Sequence, residues 1–236
     1  MKTHTLLLTS LALGLLTVGS LQLEVKADEK DGEPAGADSQ VKIKMLQGDE
    51  TITHPPVGGT DPEDENNPGT GNKGVLTIDR VPNINFGEIN INGSDQAEYA
   101  VNTNPYAQVT DVRGSSEGWT LSVKADDFKS ANGQFELKGA ALSLNDGEAV
   151  TASTGNSVTK PVAQSVTLGS SFKPIMSATK GTGEGTWMLS WKNSEVTDEN
   201  KTNPKIKLAI LGGTAKANTE YSTTVYWNLE AAPKGN

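Results

Sequence analysis

The sequence of 236 residues contains no cysteine and two histidines, His4 and His54. Without cysteine there is no thiol nucleophile, no Cys-based zinc site and no disulfide framework. Both histidines fall outside the region that we expect to fold, which excludes Ser-His-Asp catalysis and His-ligated metal sites. Adjacent Asp126 and Asp127 would point to opposite sides of a strand, and no spaced Ser–Lys motif occurs. The sequence therefore predicts a protein without enzymatic activity, cofactor or bound metal.

Positive charge is also scarce. The chain has 20 Lys and Arg against 29 Asp and Glu, a formal net charge of −9 and a pI near 4.8. Nucleic-acid binding requires clustered Lys and Arg, so no nucleic-acid partner is expected. The hydrophobic share of 34% omits the 25 glycines, and counting them brings the chain close to ordinary globular composition. A folded domain is therefore expected.

Residues 1–27 have the pattern of a secretory signal peptide. Lys2 supplies the positive charge, an apolar run follows from Leu6 to Val18, and Val25-Lys26-Ala27 offers a cleavage site. The alternative, a transmembrane anchor, would need a longer apolar run to cross a hydrocarbon core of about 30 Å. Since no Leu-Pro-x-Thr-Gly sorting signal occurs near the C-terminus, we expect a secreted protein that is held at the cell surface non-covalently.

Residues 28–73 are rich in Gly, Pro, Asp, Glu and Asn and lack a periodic apolar face. Such a segment predicts a flexible, disordered acidic leader, with the folded domain over residues 74–236. Val41–Met45 is an exception, because it alternates like a short strand. The acidic run Asp61–Glu65 fits a solvated linker or a calcium loop, although the EF-hand spacing is missing.

From Gly74 onward, short alternating runs are separated by Gly, Asn, Asp and Pro. This pattern predicts an all-β fold, an antiparallel Greek-key-like sandwich or barrel. The predicted strands are Val75–Arg80, Ile84–Ile89, Tyr99–Asn102, Gln108–Arg113, Trp119–Ala125, Leu137–Leu144, Gln164–Leu168, Thr186–Trp191, Lys205–Leu211 and Tyr221–Leu229.

All four tryptophans lie on alternating strands beside other apolar residues. Because successive strand side chains alternate between faces, this alternation favours an inward position for each tryptophan. We expect Trp119 to lie closer to solvent than Trp227, since Gly118 and a polar turn place it at a strand start. We also expect the two end strands to meet in one layer. The residues that share these faces are Trp119 and Leu121; Trp187, Leu189 and Trp191; and Tyr221, Trp227 and Leu229.

These residues resemble the WxL domain of Gram-positive surface proteins, over about residues 74–236. The first signature is the strand and turn that lead into Trp119-Thr-Leu121. The second runs from Tyr221 through Trp227-Asn-Leu229 to Pro233. The family pattern has Leu and Thr where this chain has Val225 and Tyr226, and both replacements suit a strand.

The resemblance implies a surface protein that binds cell-wall peptidoglycan. It also implies a role in adhesion or a surface complex, with a co-encoded membrane-anchored surface protein or host extracellular-matrix proteins as partners. Asp111, Asp126 and Asp127, beside the first motif, are candidates for hydrogen bonds to a wall ligand or are simply solvated turn residues. The alternative function is a partner-docking or adhesive subunit, for which Lys205–Leu211 would serve as an open edge strand.

Overall fold

The computed structural model of the chain describes residues 38–151, 159–194 and 202–232. The chain divides into two compact units, Met1–Met45 and Leu46–Asn236. The predicted signal peptide, residues 1–27, lies outside the described residues. In the described part, regular structure comprises strands and one turn of 3-10 helix over Pro62–Asp64. The strands are β1 Leu76–Arg80, β2 Gln96–Ala100, β3 Tyr106–Asp111, β4 Trp119–Ala125, β5 Lys129–Ser130, β6 Ala141–Leu144, β7 Glu148–Val150, β8 Val162–Ala163, β9 Val166–Thr167, β10 Lys173–Ala178, β11 Gly185–Ser190, β12 Asn203–Ile210, β13 Tyr221–Ser222 and β14 Val225–Ala231.

The strands form three four-stranded antiparallel sheets and one two-stranded pair. Sheet A has the order β1-β3-β11-β7, sheet B has β14-β4-β10-β8, and sheet C has β2-β12-β6-β9; β13 pairs with β5. Among the described strands, no hydrogen-bonded pair joins two that are consecutive in the chain. This crossing of connections between sheets is typical of Greek-key folds. The prediction of an all-β antiparallel fold is confirmed.

One continuous apolar cluster fills the interior. Alternation along β4 turns Trp119, Leu121 and Val123 into this cluster, where each is fully buried. Sheet A contributes Val109 from β3 and Leu189 from β11, which are also fully buried. Burial of one such side chain stabilises the fold by about 1.5–3 kcal/mol relative to exposure. The tryptophan-bearing strands predicted to face inward therefore build the core.

Several strand predictions differ from the structure: Leu137–Leu144 is a strand only from Ala141, and Tyr221–Leu229 is divided into β13 and β14. Residues 84–89 form no strand, although Ile84, Phe86 and Ile89 pack against the core. The sequence does not predict β10, because Pro174 has no backbone N–H to donate and therefore disfavours a strand. In the structure, a register shift between Pro174 and Met176 accommodates the proline against β4. β12 is not an edge strand, because it pairs with β2 on one side and β6 on the other.

The N-terminal boundary also differs from the sequence prediction. Residues 46–73, assigned to the leader, belong to the same compact unit as the sheets. They cover the outer face of β3, where the Gln108 side chain accepts a bond from the Val57 N–H at 2.9 Å and donates to the Pro55 carbonyl at 3.0 Å. His54 contacts the Gly74 carbonyl at 3.1 Å. Because both faces of β3 are covered, all six of its residues are buried.

The acidic run is not a solvated linker, because its two aspartates are bonded to other parts of the domain. Asp61 and Asp64 are buried. Asp61 accepts hydrogen bonds from the Glu63 N–H and from the Asn102 side chain. Asp64 pairs with buried Arg80 at 2.9 Å. Composition conceals this arrangement, because polar side chains that bond one another produce no apolar periodicity.

Residues 38–45 form no strand. The predicted strand Val41–Met45 is instead highly exposed, with Val41 94% and Ile43 84% accessible. In the described part of the chain, no helix has the length and apolar character needed to cross a membrane.

Candidate functional site

The two Trp-x-Leu motifs lie on neighbouring strands of sheet B. β14 pairs antiparallel with β4, and the register places Leu229 opposite Leu121 and Trp227 opposite Val123. Residues directly opposite in an antiparallel pair point to the same face, so both motifs face the interior. The prediction that the two motifs share one layer is confirmed.

The first motif is part of the core. Trp119 has an exposure of 0%, and its indole N–H donates to the Gly183 carbonyl at 3.0 Å. Gly118, just before it, has φ +80° and contacts the Ala178 carbonyl so closely that no Cβ fits. The expectation that Trp119 lies nearer to solvent than Trp227 is wrong, because the turn residues fold over its ring.

Asp111 supports the turn that leads into the first motif. Its carboxylate is 2% exposed and takes two bonds from the Arg113 guanidinium, at 2.9 and 2.7 Å. Arg113 also donates to the Gly118 carbonyl at 2.7 Å. The hydrogen bond to Asp111 raises the pKa of Arg113 above its ordinary value. Asp111 is thus a buried residue that positions this turn through its bonds to Arg113.

The second motif lies at the rim of the domain. Trp227 and Leu229 are partly buried and pack against the core. The Trp227 ring lies 6.4 Å from that of Trp191, at an interplanar angle of 58°, a tilted aromatic contact. Among the described strands, β14 is hydrogen-bonded to β4 alone, and its other edge faces β1 across a depression.

A groove of about 290 Å³ runs beside the second motif, and we call it the β1–β14 groove. One wall is Trp227, Asn228 and Leu229; the other includes Lys73 and residues of β1. This groove offers an aromatic ring, an amide and an ammonium group to a ligand. Its lining residues are Asn72, Lys73, Leu76, Thr77, Ile78, Trp227, Asn228 and Leu229.

Sequence reasoning missed the wall formed by Asn72 and Lys73, because both residues were assigned to the leader. Asn72 donates to the Ile78 carbonyl at 3.0 Å, which fixes it against β1. Lys73 forms an isolated antiparallel bridge with Thr53. The sequence carries no signal for this bridge, because Thr53 and Lys73 are far apart in the chain and neither lies in an alternating run.

The remaining motif positions are spread over the fold. Trp187, Leu189 and Trp191, on or next to β11, are buried in the core. Tyr221 is partly buried on β13, and its hydroxyl accepts a bond from the Lys216 N–H at 3.0 Å. Pro233 lies outside the described residues. The three aromatic residues of this set, Trp187, Trp191 and Tyr221, belong to the core cluster or pack against it.

Asp126 and Asp127 follow the end of β4 and are both exposed. The Tyr226 hydroxyl donates to the Asp126 carboxylate at 2.8 Å. This hydrogen bond, together with the negative charge of Asp126, raises the pKa of Tyr226 above its ordinary value. Both carboxylates are therefore at the surface beside the motif sheet, unlike Asp111.

A second depression, of about 400 Å³, lies at the turn around Pro62–Asn67 and Asn83. It contains no residue of either motif. Its buried carboxylate, Asp64, accepts bonds from Arg80, Asn67 and Asn83. The depression is accordingly a surface feature of a satisfied polar network.

Comparison with protein families assigns the chain. A family model described as "WxL domain surface cell wall-binding" matches residues 32–233. The chain belongs to the WxL family. This match includes residues assigned to the leader, in agreement with the compact unit that begins at Leu46. Comparison with curated proteins and with solved structures gives no match.

Membership of the WxL family indicates the general role of the chain, which is association with the cell surface or cell wall. It is a domain of the surface cell wall-binding class, and cell-surface or cell-wall association follows from that class. The two WxL motifs of this chain are Trp119-Thr-Leu121 and Trp227-Asn-Leu229.

Proposed function

We propose that this WxL protein is secreted and attaches non-covalently to the peptidoglycan of the bacterial cell wall, with the β1–β14 groove as its binding site. The observation that carries the proposal is the position of the second motif. Trp227 is partly exposed and lines a groove, whereas Trp119 lies beneath the surface. A solvent-accessible groove with an aromatic ring in its wall offers a ligand an apolar face beside hydrogen-bonding groups.

The charge of the chain supports a peptidoglycan ligand over an anionic wall polymer. The net charge of −9 repels polyanions at long range. Peptidoglycan carries N-acetylated sugars and short peptides, which present apolar faces, amides and hydroxyls. The groove offers matching groups, namely the Trp227 indole, the Asn228 amide and the Lys73 ammonium.

The direct test is sedimentation of the purified protein with protein-free sacculi. We expect the wild type to sediment. Trp227→Phe and Lys73→Gln should each weaken binding by about tenfold, because each keeps the chain folded but removes a ligand contact. Lys138→Gln, an exposed lysine outside the groove, is the matched control and should bind like the wild type.

Two results would contradict this proposal in different ways. A wild-type protein that stays in solution with sacculi would reject direct wall binding. Sedimentation of both groove variants at wild-type affinity would reject the groove as the site and leave wall binding itself in place.

A second candidate function is docking of a partner protein, such as a membrane-anchored surface protein or a host extracellular-matrix protein, in an adhesion system. Its support is the exposed alternating segment Val41–Met45, since an extended apolar segment can add a strand to a sheet edge of another protein. β12, the edge expected from the sequence, is covered on both sides. Deletion of residues 38–45 should abolish capture of a surface-protein partner and leave sedimentation with sacculi unchanged.

A further inference from the structure

The outer face of sheet B, opposite the WxL motifs, carries a cluster that we call the aromatic platform: Lys124, Asp126, Phe172 and Tyr226. Lys124 on β4 is the direct cross-strand partner of Tyr226 on β14. Phe172 immediately precedes β10, the other neighbour of β4. The platform therefore spans three adjacent strands of one sheet.

The platform is an ordered arrangement of side chains. The Lys124 ammonium nitrogen lies 4.9 Å from the centroid of the Tyr226 ring and 5.0 Å from that of Phe172. Such distances are within the range of cation–π attraction. The Tyr226 hydroxyl is bound to Asp126 at 2.8 Å. The Lys124 cation thus lies against both rings, and the Asp126 carboxylate fixes the Tyr226 ring at its hydroxyl.

Both rings are nevertheless open to solvent. Tyr226 is 40% exposed and Phe172 is 45% exposed. Tyr226 points away from the core because its neighbours Val225 and Trp227 point into it. The core therefore does not require an aromatic residue at this position.

We propose that the aromatic platform is a second contact surface for the wall, and that it binds the N-acetylated sugar strand of peptidoglycan. This inference rests on the proposed function. Solvent-exposed aromatic rings can stack on the apolar faces of sugar rings. The Lys124 ammonium and the Asp126 carboxylate supply a hydrogen-bond donor and an acceptor for acetamido and hydroxyl groups.

Charge and position favour a sugar strand over other ligands. Lys124 and Asp126 balance each other, so the platform does not attract a polyanion such as a phosphate polymer. The apolar surface is confined to two ring faces and is too small for the core of a stable protein interface. Asn228 follows Tyr226 on the same side of β14 and also lines the β1–β14 groove. The platform and the groove are therefore continuous along β14, and one extended glycan strand can contact both.

The test uses Tyr226→Ser and Phe172→Ser, with Phe135→Ser as the matched control. Phe135 has 40% exposure, equal to that of Tyr226, and lies outside the platform. Three probes are used: protein-free sacculi, glycan strands freed of stem peptides by an amidase, and the released peptides. We expect each platform variant to bind sacculi and glycan strands about five- to tenfold more weakly at unchanged melting temperature. The Phe135 variant should bind like the wild type.

The possible failures are distinguishable. Platform variants that bind sacculi like the wild type would overturn this inference and leave the proposed function intact. A wild type that binds the released peptides but not the glycan strands would overturn the assignment to sugar. A wild type that fails to sediment with sacculi would overturn both proposals together.

Discussion

The two WxL motifs are adjacent in space and identical in pattern, yet they occupy different environments. Trp119 lies on β4, which has a hydrogen-bonded strand on each side, and its exposure is 0%. Trp227 lies on β14, which borders the β1–β14 groove, and it is partly exposed. The difference arises from strand position and not from the motif. A shared Trp-x-Leu pattern therefore predicts a common face of the sheet, and the neighbouring elements decide how much of each ring reaches solvent.

Removal of residues 46–73 is the most severe way to break this comparison, because it deletes Asn72 and Lys73 from one wall of the groove beside Trp227. It also leaves Arg80 without its buried partner Asp64. Loss of one member of a buried ion pair costs about 3–5 kcal/mol, which is comparable to the whole stability of many domains. We expect a chain that starts at Gly74 to unfold at much lower denaturant concentration than one that starts at Leu46. Equal midpoints would mean that residues 46–73 are dispensable for folding.

Truncation of the buried motif should come next in size. Trp119→Ala removes a fully buried ring and its bond to the Gly183 carbonyl, with an expected loss of about 3–5 kcal/mol. Thermal and chemical unfolding measure the loss. Wall binding should fall only in proportion to the unfolded fraction. A Trp119→Ala protein that stays fully folded but loses wall binding would place this ring at the binding surface.

Truncation of the second motif should cost less stability and more binding. Trp227→Ala removes a partly exposed ring that contacts Trp191, and we expect a loss of about 2–3 kcal/mol, below that for Trp119. Below the unfolding transition, sedimentation with sacculi should nevertheless drop markedly. The comparison fails if the two alanine variants lose equal stability and equal binding.

Sequence reasoning reached the fold class and the shared layer of the motifs, because alternation and aromatic spacing encode which face is buried. Trp119–Ala125, for instance, was predicted with the bounds that β4 has. It missed the covering segment of residues 46–73, where Asp61 and Asp64 are buried in a network of polar partners. Hydrogen-bond partners distant in the chain leave no periodic trace. The rank of Trp119 and Trp227 in exposure failed for the same reason, since it depends on contacts such as that with Gly183.

The smallest expected effect concerns Tyr226, which lies on the face of β14 opposite to Trp227. The Tyr226 pKa is raised by its bond to Asp126, so any stability from this bond is fully present below the unfolded pKa of about 10. It is lost as the pH rises through the higher folded-state pKa. In Asp126→Asn, Tyr226 should form tyrosinate at lower pH than in the wild type, as followed by ultraviolet absorbance. Superimposable titrations would show that the bond has no influence on the phenol.

The absence of hydrogen-bonded pairs between consecutive strands, within the described part of the chain, has a consequence for how the protein is made. β4 and β14 pair across about a hundred intervening residues, and closing such long loops makes folding slow, on a scale of milliseconds to seconds for all-β domains. Sheet B cannot be completed until the ribosome has released residues 225–231. All strands of sheets A and C precede residue 211, so sheet B is the last of the three four-stranded sheets to be completed as the chain is made.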